Sequence, residues 1–387
     1  MGKSEALQVS FSAVGDVMLG GQVGTAITRH GAKHIFEHVA PMLKESDIVF
    51  GNLEAPFTTE SQKSIWDYSK LGDGAVYLKA MPDSVKGLTY AGFNIVSLAN
   101  NHIMDYGSRG LFDTIDILSE HNISYVGVGK NIEEARRPAI IEANGLRVGF
   151  LAYCEVYTAT KQKPGCAAVN PAIYKQIKEL ENAVDVVIVS LHQGMSIADY
   201  PLQSDIKLCH SVIDSGANLV LRHHPHVLQG VEYYKNGLIV YSLGNFVFDY
   251  NIDPLWAGME EARESMILQC GLHKSGIKDV NIVPVFINNN YQSEIPTGEN
   301  RRRILTRIDQ LSAKLTDKDI LAEMDRRYIE TVVPDLFRTL VDISTQRRFS
   351  SILSIFRRFR IYHARLLIEY LFRKVGESLK LNRSIRK

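Results

Sequence analysis

Polar residues that could bind a divalent cation follow five predicted strands directly. Each of these strands is short and apolar. The polar residues are Asp16, Asn52 and Glu54, Asn101 and His102, His192, and His224 and His226. Open α/β sheets bind ligands beyond the carboxyl ends of their strands. We therefore expect these side chains to meet at one edge, where carboxylate oxygen, amide oxygen and imidazole nitrogen would hold one or two divalent cations.

Each of these residues also has an ordinary structural interpretation. A single histidine after a strand commonly hydrogen-bonds within the fold, and Asp16 after Gly15 could cap a helix. Recurrence at five strand ends favours the metal site over these alternatives. The His224-Pro225-His226 segment adds support, because its i, i+2 spacing can direct two imidazoles into one pocket.

The hydrophobic pattern places these residues in an alternation of strands and helices. Strands are predicted at 8–14, 47–51, 93–98, 125–128, 185–191, 218–221 and 280–288. Helices are predicted at 32–45, 81–91, 108–121, 171–183 and 202–215. Hairpins are predicted for 138–142 with 146–153 and for 228–234 with 238–242, because Asn-Gly lies between the two runs in each case. The pattern predicts an α/β sheet with crossover connections that is partly antiparallel.

The chain changes character near residue 300. Basic, helix-like segments replace the strands, at 303–315, 317–332, 335–344 and 350–375. Residues 301–387 contain 21 basic and 10 acidic residues, whereas the remainder contains 23 and 33. We predict an α/β domain over residues 1–298 and a basic helical extension over residues 299–387.

The basic tail, residues 345–387, has several interpretations. Charge asymmetry suggests an anionic membrane surface or an acidic protein partner. A solvated helical face, or a tail docked on the acidic body, is the structural alternative. Arginines alternate with aromatic residues here, as in proteins that bind single-stranded nucleic acid. The helical spacing of the apolar residues fits packing or membrane contact better, so nucleic acid is the disfavoured partner.

The composition excludes several classes of protein. The 387 residues are 45% hydrophobic and 22% charged, which is not typical of disordered, collagen-like or disulfide-dense chains. The four cysteines lack CxxC spacing, so no thiolate zinc site is predicted. Neither a signal segment nor a membrane-spanning apolar run is found in the sequence. We expect a cytoplasmic protein, with membrane association through the tail as an alternative.

Six short segments follow one another within residues 8–250. They are Gly15-Asp16-Val17-Met18, Gly51-Asn52-Leu53-Glu54, Ala99-Asn100-Asn101-His102, His192-Gln193-Gly194, His224-Pro225-His226-Val227-Leu228-Gln229-Gly230 and Tyr241-Ser242-Leu243-Gly244-Asn245-Phe246. Together they resemble the capsule-synthesis CapA family, which is associated with poly-γ-glutamate. That family is similar in fold to the calcineurin-like metallophosphoesterases. The resemblance implies a four-layer α/β/β/α sandwich with metals at one edge, followed here by a C-terminal helical extension.

The resemblance also implies roles for individual residues. The metal ligands would be Asp16, Glu54 (or Asn52), Asn101, His192, His224 and His226, and the metal would be Mn, Fe or Zn. His102 would be the general acid or an electrophile, oriented by Asp105. Arg222 departs from the family, which often has glycine before its His-Pro-His segment, and it would bind an anionic substrate or pair with a neighbouring carboxylate. Asn245 is assigned to substrate binding.

The sequence departs from the phosphoesterase pattern in two places. Met18 stands where those enzymes have an imidazole, and Asn52-Leu53-Glu54 replaces their bridging aspartate. One metal, or two of unequal affinity, is therefore expected. The implied function lies in capsule or poly-γ-glutamate-type polymer biosynthesis, as a metal-dependent hydrolase of a phosphoester or of an amide in a poly-acidic chain. The alternative is a non-catalytic accessory or scaffold protein of an envelope polymer machine, docking through its basic tail.

Overall fold

A computed structural model describes residues 8–64, 76–254 and 256–331. The strands in these ranges are β1 (Val9–Val17), β2 (Ile48–Leu53), β3 (Ile95–Ser97), β4 (Ser124–Val126), β5 (Val128–Gly129), β6 (Ala139–Ala143), β7 (Leu146–Cys154), β8 (Gly165–Cys166), β9 (Val186–His192), β10 (Leu219–His223), β11 (Val231–Tyr234), β12 (Gly237–Val240), β13 (Asn245–Val247), β14 (Glu264–His273), β15 (Gly276–Ile287) and β16 (Ser293–Glu294). The α-helices are α1 (Gly21–His30), α2 (Ala40–Leu43), α3 (Val85–Ala91), α4 (Gly107–Glu120), α5 (Ile132–Ala135), α6 (Ala172–Glu181), α7 (Gln203–Asp214) and α8 (Gly298–Ala313).

Most of the strands form two mixed sheets. The first has the order β16-β15-β14-β1-β2-β3-β4, with β13 also paired to β1, and the second has the order β11-β12-β10-β9-β7-β6. The strands β1 to β4 are parallel, as are β7, β9, β10 and β12. The two predicted hairpins are present as β6–β7 and β11–β12. The prediction of a partly antiparallel α/β arrangement is confirmed.

The two sheets pack against each other face to face. The Phe50 ring of β2 stacks on the Phe150 ring of β7, with centroids 5.8 Å apart. Along β9 the side chains alternate, so that Val186 packs into this inner core and Val187 packs into an outer core. The outer core is closed by apolar residues of α6 and α7.

The opposite face of the first sheet is also covered. Phe36, in a 3-10 turn at Ala32–Phe36, packs edge-on against Phe93. Gly87 of α3 lies against the same turn, where an added Cβ would come within 2.8 Å of the Ala32 carbonyl oxygen. Helices and turns therefore cover both outer faces of the paired sheets. The predicted four-layer α/β/β/α sandwich is confirmed.

Several short elements were not predicted, and among the longer ones three differ from the sequence prediction. Residues 32–45 form a 3-10 turn and the short α2 instead of one helix, because Pro41 cannot donate an intrahelical hydrogen bond. The helix α1 and the strand β14 were not predicted. Nearly every residue of β14 is buried, so its sequence lacks the alternation that marks a half-exposed strand.

The helix α8 belongs to the same compact unit as the two sheets, and this unit continues to Asp317. Arg307 of α8 donates to the buried carboxylate of Glu264 at 2.9 Å. Residues 318–331 are helical and belong to a second compact unit. The predicted boundary at residue 298 stays a prediction, and the segments predicted at 335–344 and 350–375 lie outside the described residues. Among the helices that the structure describes, none is long and apolar enough to cross a membrane.

Candidate metal centre

The two sheets bring their polar strand ends to one place. In the first sheet, Asp16 of β1 is in register with Asn52 of β2. In the second sheet, His192 of β9 is in register with His223 of β10. Because these strands are parallel within each sheet, their carboxyl ends lie at the same edge. The cluster is therefore built from both sheets.

Glu54 lies at the centre of the cluster and is fully buried. Neither of its carboxylate oxygens has a hydrogen-bond partner. Its Oε1 atom lies 3.4 Å from His192 Nε2 and 3.7 Å from His226 Nε2. A buried carboxylate without hydrogen bonds is costly unless a cation or another donor satisfies it.

Asp16 is buried beside Glu54 and is surrounded by donors. Its Oδ1 atom accepts a hydrogen bond of 2.8 Å from Asn52 Nδ2 and lies 3.1 Å from His223 Nδ1. Its Oδ2 atom accepts from the backbone N–H of His224 at 3.3 Å and lies 3.6 Å from His226 Nδ1. Asp16 thus ties the first sheet to the histidines of the second sheet.

The Nε2 atom of His192 is close to three other atoms that could bind a metal ion. It lies 2.7 Å from Asn101 Oδ1, 3.2 Å from His224 Nδ1 and 3.4 Å from Glu54 Oε1. Two sets of three residues each offer ligand atoms within 4.8 Å of one another: Glu54, His224 and His226, and Asp16, Glu54 and His192. Glu54 belongs to both sets, which suits one cation or two neighbouring ones.

The turn that carries His224 and His226 has an unusual backbone. His224 has φ of 97° and His226 has φ of 60°, on either side of Pro225. Positive φ values are uncommon and costly for residues with a Cβ, and strained residues of this kind cluster at functional sites. The strained turn places the imidazole of His224 next to His192 and the imidazole of His226 next to Glu54.

The burial of the cluster keeps its imidazoles neutral. Burial and the neighbouring His224 lower the pKa of His192 well below its ordinary value. Burial and the neighbouring His226 lower the pKa of His224 to about 3, and burial likewise lowers the pKa of His226. Neutral imidazole is the form that binds metal ions.

The pKa values of the two buried carboxyl groups shift in opposite directions. Burial and the adjacent Asp16 charge raise the pKa of Glu54 well above its ordinary value. Burial alone would also raise the pKa of Asp16, but its 3.1 Å contact with His223 and the nearby His226 and His192 outweigh burial and hold that pKa below its usual range. A cation bound at Glu54 would lower the pKa of this residue again, because the cation stabilises the carboxylate.

This donor set fits a divalent cation. It combines two buried carboxylates, three neutral imidazoles and the amide oxygen of Asn101, and it excludes thiolates. The orphaned oxygens of Glu54 are the groups that such an ion would satisfy. Nitrogen and oxygen ligands together are typical of Mn, Fe and Zn sites.

His102 and Asp105 form a pair beside the cluster. His102 Nδ1 lies 2.8 Å from Asp105 Oδ2, and the same oxygen accepts a hydrogen bond of 2.7 Å from the Leu78 N–H. The predicted contact between the two residues is therefore present, and their catalytic roles stay predictions. Asn100 Oδ1 fixes the start of this turn by accepting from the N–H groups of His102 and Ile103.

The two residues assigned to substrate binding both have protein partners in the structure. Arg222 does not face the cluster: its guanidinium is buried in the outer core and pairs with Asp205 Oδ2 at 2.8 Å, so it pairs with a carboxylate instead of binding substrate. The Asn245 amide is buried, with Oδ1 3.0 Å from His226 Nδ1 and with Nδ2 donating to the Ala262 carbonyl at 2.9 Å. These contacts position His226, and the role of Asn245 in substrate binding stays a prediction.

His223 is a member of the cluster that the sequence prediction missed. It lies between Arg222 and His224, and the pleat of β10 turns its side chain toward Asp16 and away from Arg222. The alternation of β10 would have revealed this orientation if the end of the strand had been placed at His223 instead of Leu221.

Comparisons with known proteins identify relatives of this chain. Residues 10–250 match the family described as "Bacterial capsule synthesis protein PGA_cap". The capsule biosynthesis protein CapA of Bacillus anthracis is 33% identical over 343 residues, which cover 83% of this chain and 81% of that protein. The PGA biosynthesis protein CapA of Bacillus subtilis (strain 168) is 31% identical over 327 residues, which cover 82% of this chain and 83% of that protein.

More distant similarities extend the comparison. A probable polyglutamine synthesis accessory protein of Mycobacterium tuberculosis is 29% identical over 221 residues, which cover 53% of this chain and 56% of that protein. A solved structure described as a novel phosphatase from Mycoplasma pneumoniae is similar at a TM-score of 0.46 and 14% identity, covering 78% of this chain and 97% of that chain. The family match and the two CapA relatives show that the chain belongs to the bacterial capsule synthesis protein family.

Proposed function

We propose that this protein is a metal-dependent hydrolase of capsule or poly-γ-glutamate-type polymer biosynthesis. Its substrate would be a phosphoester or an amide within a poly-acidic chain. The observation that carries the proposal is the buried Glu54 carboxylate, which has no hydrogen bond and lies within 3.4 Å and 3.7 Å of two imidazole nitrogens. The names of the two CapA relatives support the biosynthetic context.

The residues of the chain would divide the chemistry between them. Asp16, Glu54, His192, His224 and His226 would hold the cation, with Asn101 as an additional oxygen ligand. A bound divalent cation polarises the attacked oxygen and lowers the pKa of a bound water.

His102 is placed to move a proton during hydrolysis. Its contact with Asp105 fixes Nδ1 and leaves Nε2 as the ring nitrogen that can serve the leaving group. The preceding residue, Asn101, contacts His192 Nε2 at 2.7 Å, so His102 follows directly on a residue of the cluster. A general acid at this position would protonate the departing alkoxide or amine.

Metal content tests the site directly. We would measure elemental composition by mass spectrometry for the wild type, for His224→Ala and for His210→Ala as a matched control. His210 is a partly buried imidazole that pairs with Glu232 outside the cluster. We expect near-stoichiometric Mn, Fe or Zn in the wild type and the control, and a clear loss in His224→Ala. Equal metal content in all three proteins would contradict the site.

Activity tests the reaction class. The metal-loaded wild type would be assayed on an aryl phosphate and on a γ-glutamyl amide, beside His102→Gln. We expect the variant to retain its metal and to lose about 10²–10⁴-fold in kcat, the usual contribution of a general acid. An unchanged kcat in His102→Gln would remove His102 from the mechanism.

A non-catalytic accessory role is the second candidate. It is favoured by Met18, which is buried and whose Sδ atom accepts a hydrogen bond of 3.0 Å from the Gly20 N–H, so that this position offers no imidazole ligand. In this role the basic segment 345–387 would dock to a membrane surface or to a protein partner. Metal binding without hydrolysis of either substrate would favour this candidate.

A further inference from the structure

A buried ion pair lies directly behind the loop that follows His192. Arg222 of β10 and Asp205 of α7 pair at 2.8 Å, and their side chains are 0% and 8% exposed. The pair lies in the outer core, where the Arg222 guanidinium is 5.9 Å from the centre of the Tyr241 ring. Neither residue belongs to the ligand set of the cluster.

Both members of the pair hold Gln193, the residue after His192. Arg222 Nη2 donates to the Gln193 backbone carbonyl at 3.0 Å. Asp205 Oδ1 accepts from the Gln193 side-chain amide at 3.1 Å. The Gln193 N–H also donates to the His223 carbonyl at 3.3 Å. Gln193 is thus fixed through its N–H, its carbonyl and its side chain.

The next residues connect this anchor to the second histidine turn. Gly194 has φ of 121°, and a Cβ there would lie 2.9 Å from Arg222 Nη2, so the chain passes directly against the guanidinium. The Ile197 N–H donates to the Pro225 carbonyl at 2.8 Å, and Ser196 Oγ lies 3.4 Å from His224 Nε2. The loop over residues 193–197 therefore spans from His192 to the His224-Pro225-His226 turn.

Stability alone does not explain the Arg222–Asp205 ion pair. Buried ion pairs repay their desolvation only when hydrogen bonds satisfy them, and apolar side chains of similar volume are often as stabilising. Arg222 Nε and Nη1 are buried without a hydrogen-bond partner. What the guanidinium does provide is a fixed geometry between Asp205 and the Gln193 carbonyl, which an apolar side chain cannot provide.

We propose that Arg222 and Asp205 are positioning residues that clamp Gln193 and thereby set the separation of the His192 and His224 imidazoles. This inference rests on the proposed metal site. Residues that orient ligands from behind typically change metal affinity by about 10- to 100-fold when they are replaced. This clamp, Arg222 with Asp205, would affect the positions of the His192 and His224 imidazoles, which are in contact. It would affect His226 less, because Asn245 holds that residue independently.

The test uses the double variant Arg222→Met with Asp205→Asn in the full-length protein. This change removes both charges together, so no buried charge is left unpaired. The asparagine can still accept from the Leu202 N–H, which Asp205 Oδ2 does at 3.2 Å at the start of α7. The matched control is Arg307→Met with Glu264→Gln, which removes an ion pair that has no contact with Gln193. Glu264 also pairs with Arg303, which keeps Glu260 as a partner, and Arg307 also pairs with the exposed Asp199.

Three readouts separate positioning from general stability. We expect the metal-free double variant to keep a Tm close to that of the wild type, while its backbone amides over 193–197 exchange hydrogen faster. With Co²⁺ as the probe, we expect about 10- to 100-fold weaker binding and an altered visible absorption spectrum. The control should show neither the exchange change nor the spectral change.

The outcomes distinguish this inference from the proposed function. A wild type that binds no Co²⁺, Mn²⁺ or Zn²⁺ would contradict the proposed function, and the exchange measurement on the metal-free protein would still test the clamp. A double variant with wild-type exchange over 193–197 would overturn the clamp. Wild-type Co²⁺ affinity and spectrum in that variant would overturn it as well.

Discussion

The charge on Glu54 is the residue-level feature that sets the electrostatics of the cluster. Burial and the adjacent Asp16 raise the pKa of Glu54 above its ordinary value of 4.5. In the metal-free protein, the folded state therefore binds this proton more tightly than the unfolded state does. The free energy of unfolding then falls as the pH rises from the ordinary pKa through the raised one.

Replacing Glu54 with Gln removes this pH-dependent fall in the free energy of unfolding. In EDTA at pH 8, we expect Glu54→Gln to have a Tm about 2–4 °C above that of the wild type, since it relieves a desolvation cost of about 1–3 kcal/mol. The difference should shrink toward pH 4, where the wild-type carboxyl is protonated. Scanning calorimetry at both pH values measures it, and a lower Tm for Glu54→Gln at pH 8 would show that the carboxylate is satisfied without metal.

When metal is added, the wild type should have the higher Tm of the two proteins. Ligand that binds only the folded state stabilises it by about 2.7 kcal/mol at 100 times its Kd. The wild type would gain most of this amount, whereas Glu54→Gln would gain little because it lacks the shared carboxylate. The same calorimetric scans with Mn²⁺ or Zn²⁺ provide the measurement.

At the scale of elements, the turn after β10 holds two histidines in a conformation that favours glycine. His224→Ala and His224→Gly both remove the imidazole, but only glycine adopts a φ of 97° readily. We expect the metal-free Gly variant to be more stable than the Ala variant by about 1–2 kcal/mol. Urea denaturation of both proteins in EDTA measures the difference, and equal midpoints would mean that the turn relaxes when the imidazole is lost.

The strand ends show what could be predicted from the sequence. Asp16, Glu54 and His192 could be placed because each follows a short apolar run, and parallel strands deliver such residues to one edge. Arg222 and His223 could not be assigned in the same way. The predicted strand ended at Leu221 and left both residues outside it, whereas β10 continues to His223 and its alternation puts the two side chains on opposite faces.

At the scale of the whole molecule, the reactivity of the four cysteines can show whether the layers unfold together. Cys154, Cys166 and Cys270 belong to the inner core, and Cys209 of α7 belongs to the outer core. All four are buried and free. Burial raises the pKa of Cys209 and of Cys270 to about 12, so little reactive thiolate forms near pH 8.

Thiol reactivity therefore tests whether the sandwich opens as one unit. We expect fewer than about one thiol per chain to react with Ellman's reagent in the native protein at pH 8, and all four to react in urea, because reaction requires opening of a core. If the layers unfold together, the reaction of Cys209 in a Cys209-only variant should follow the same urea dependence as that of the three inner cysteines in Cys209→Ser. A Cys209 that reacts at much lower urea would show instead that the α6–α7 layer separates first, and Arg222 and Asp205 would then lose their hold on Gln193 before the sheets unfold.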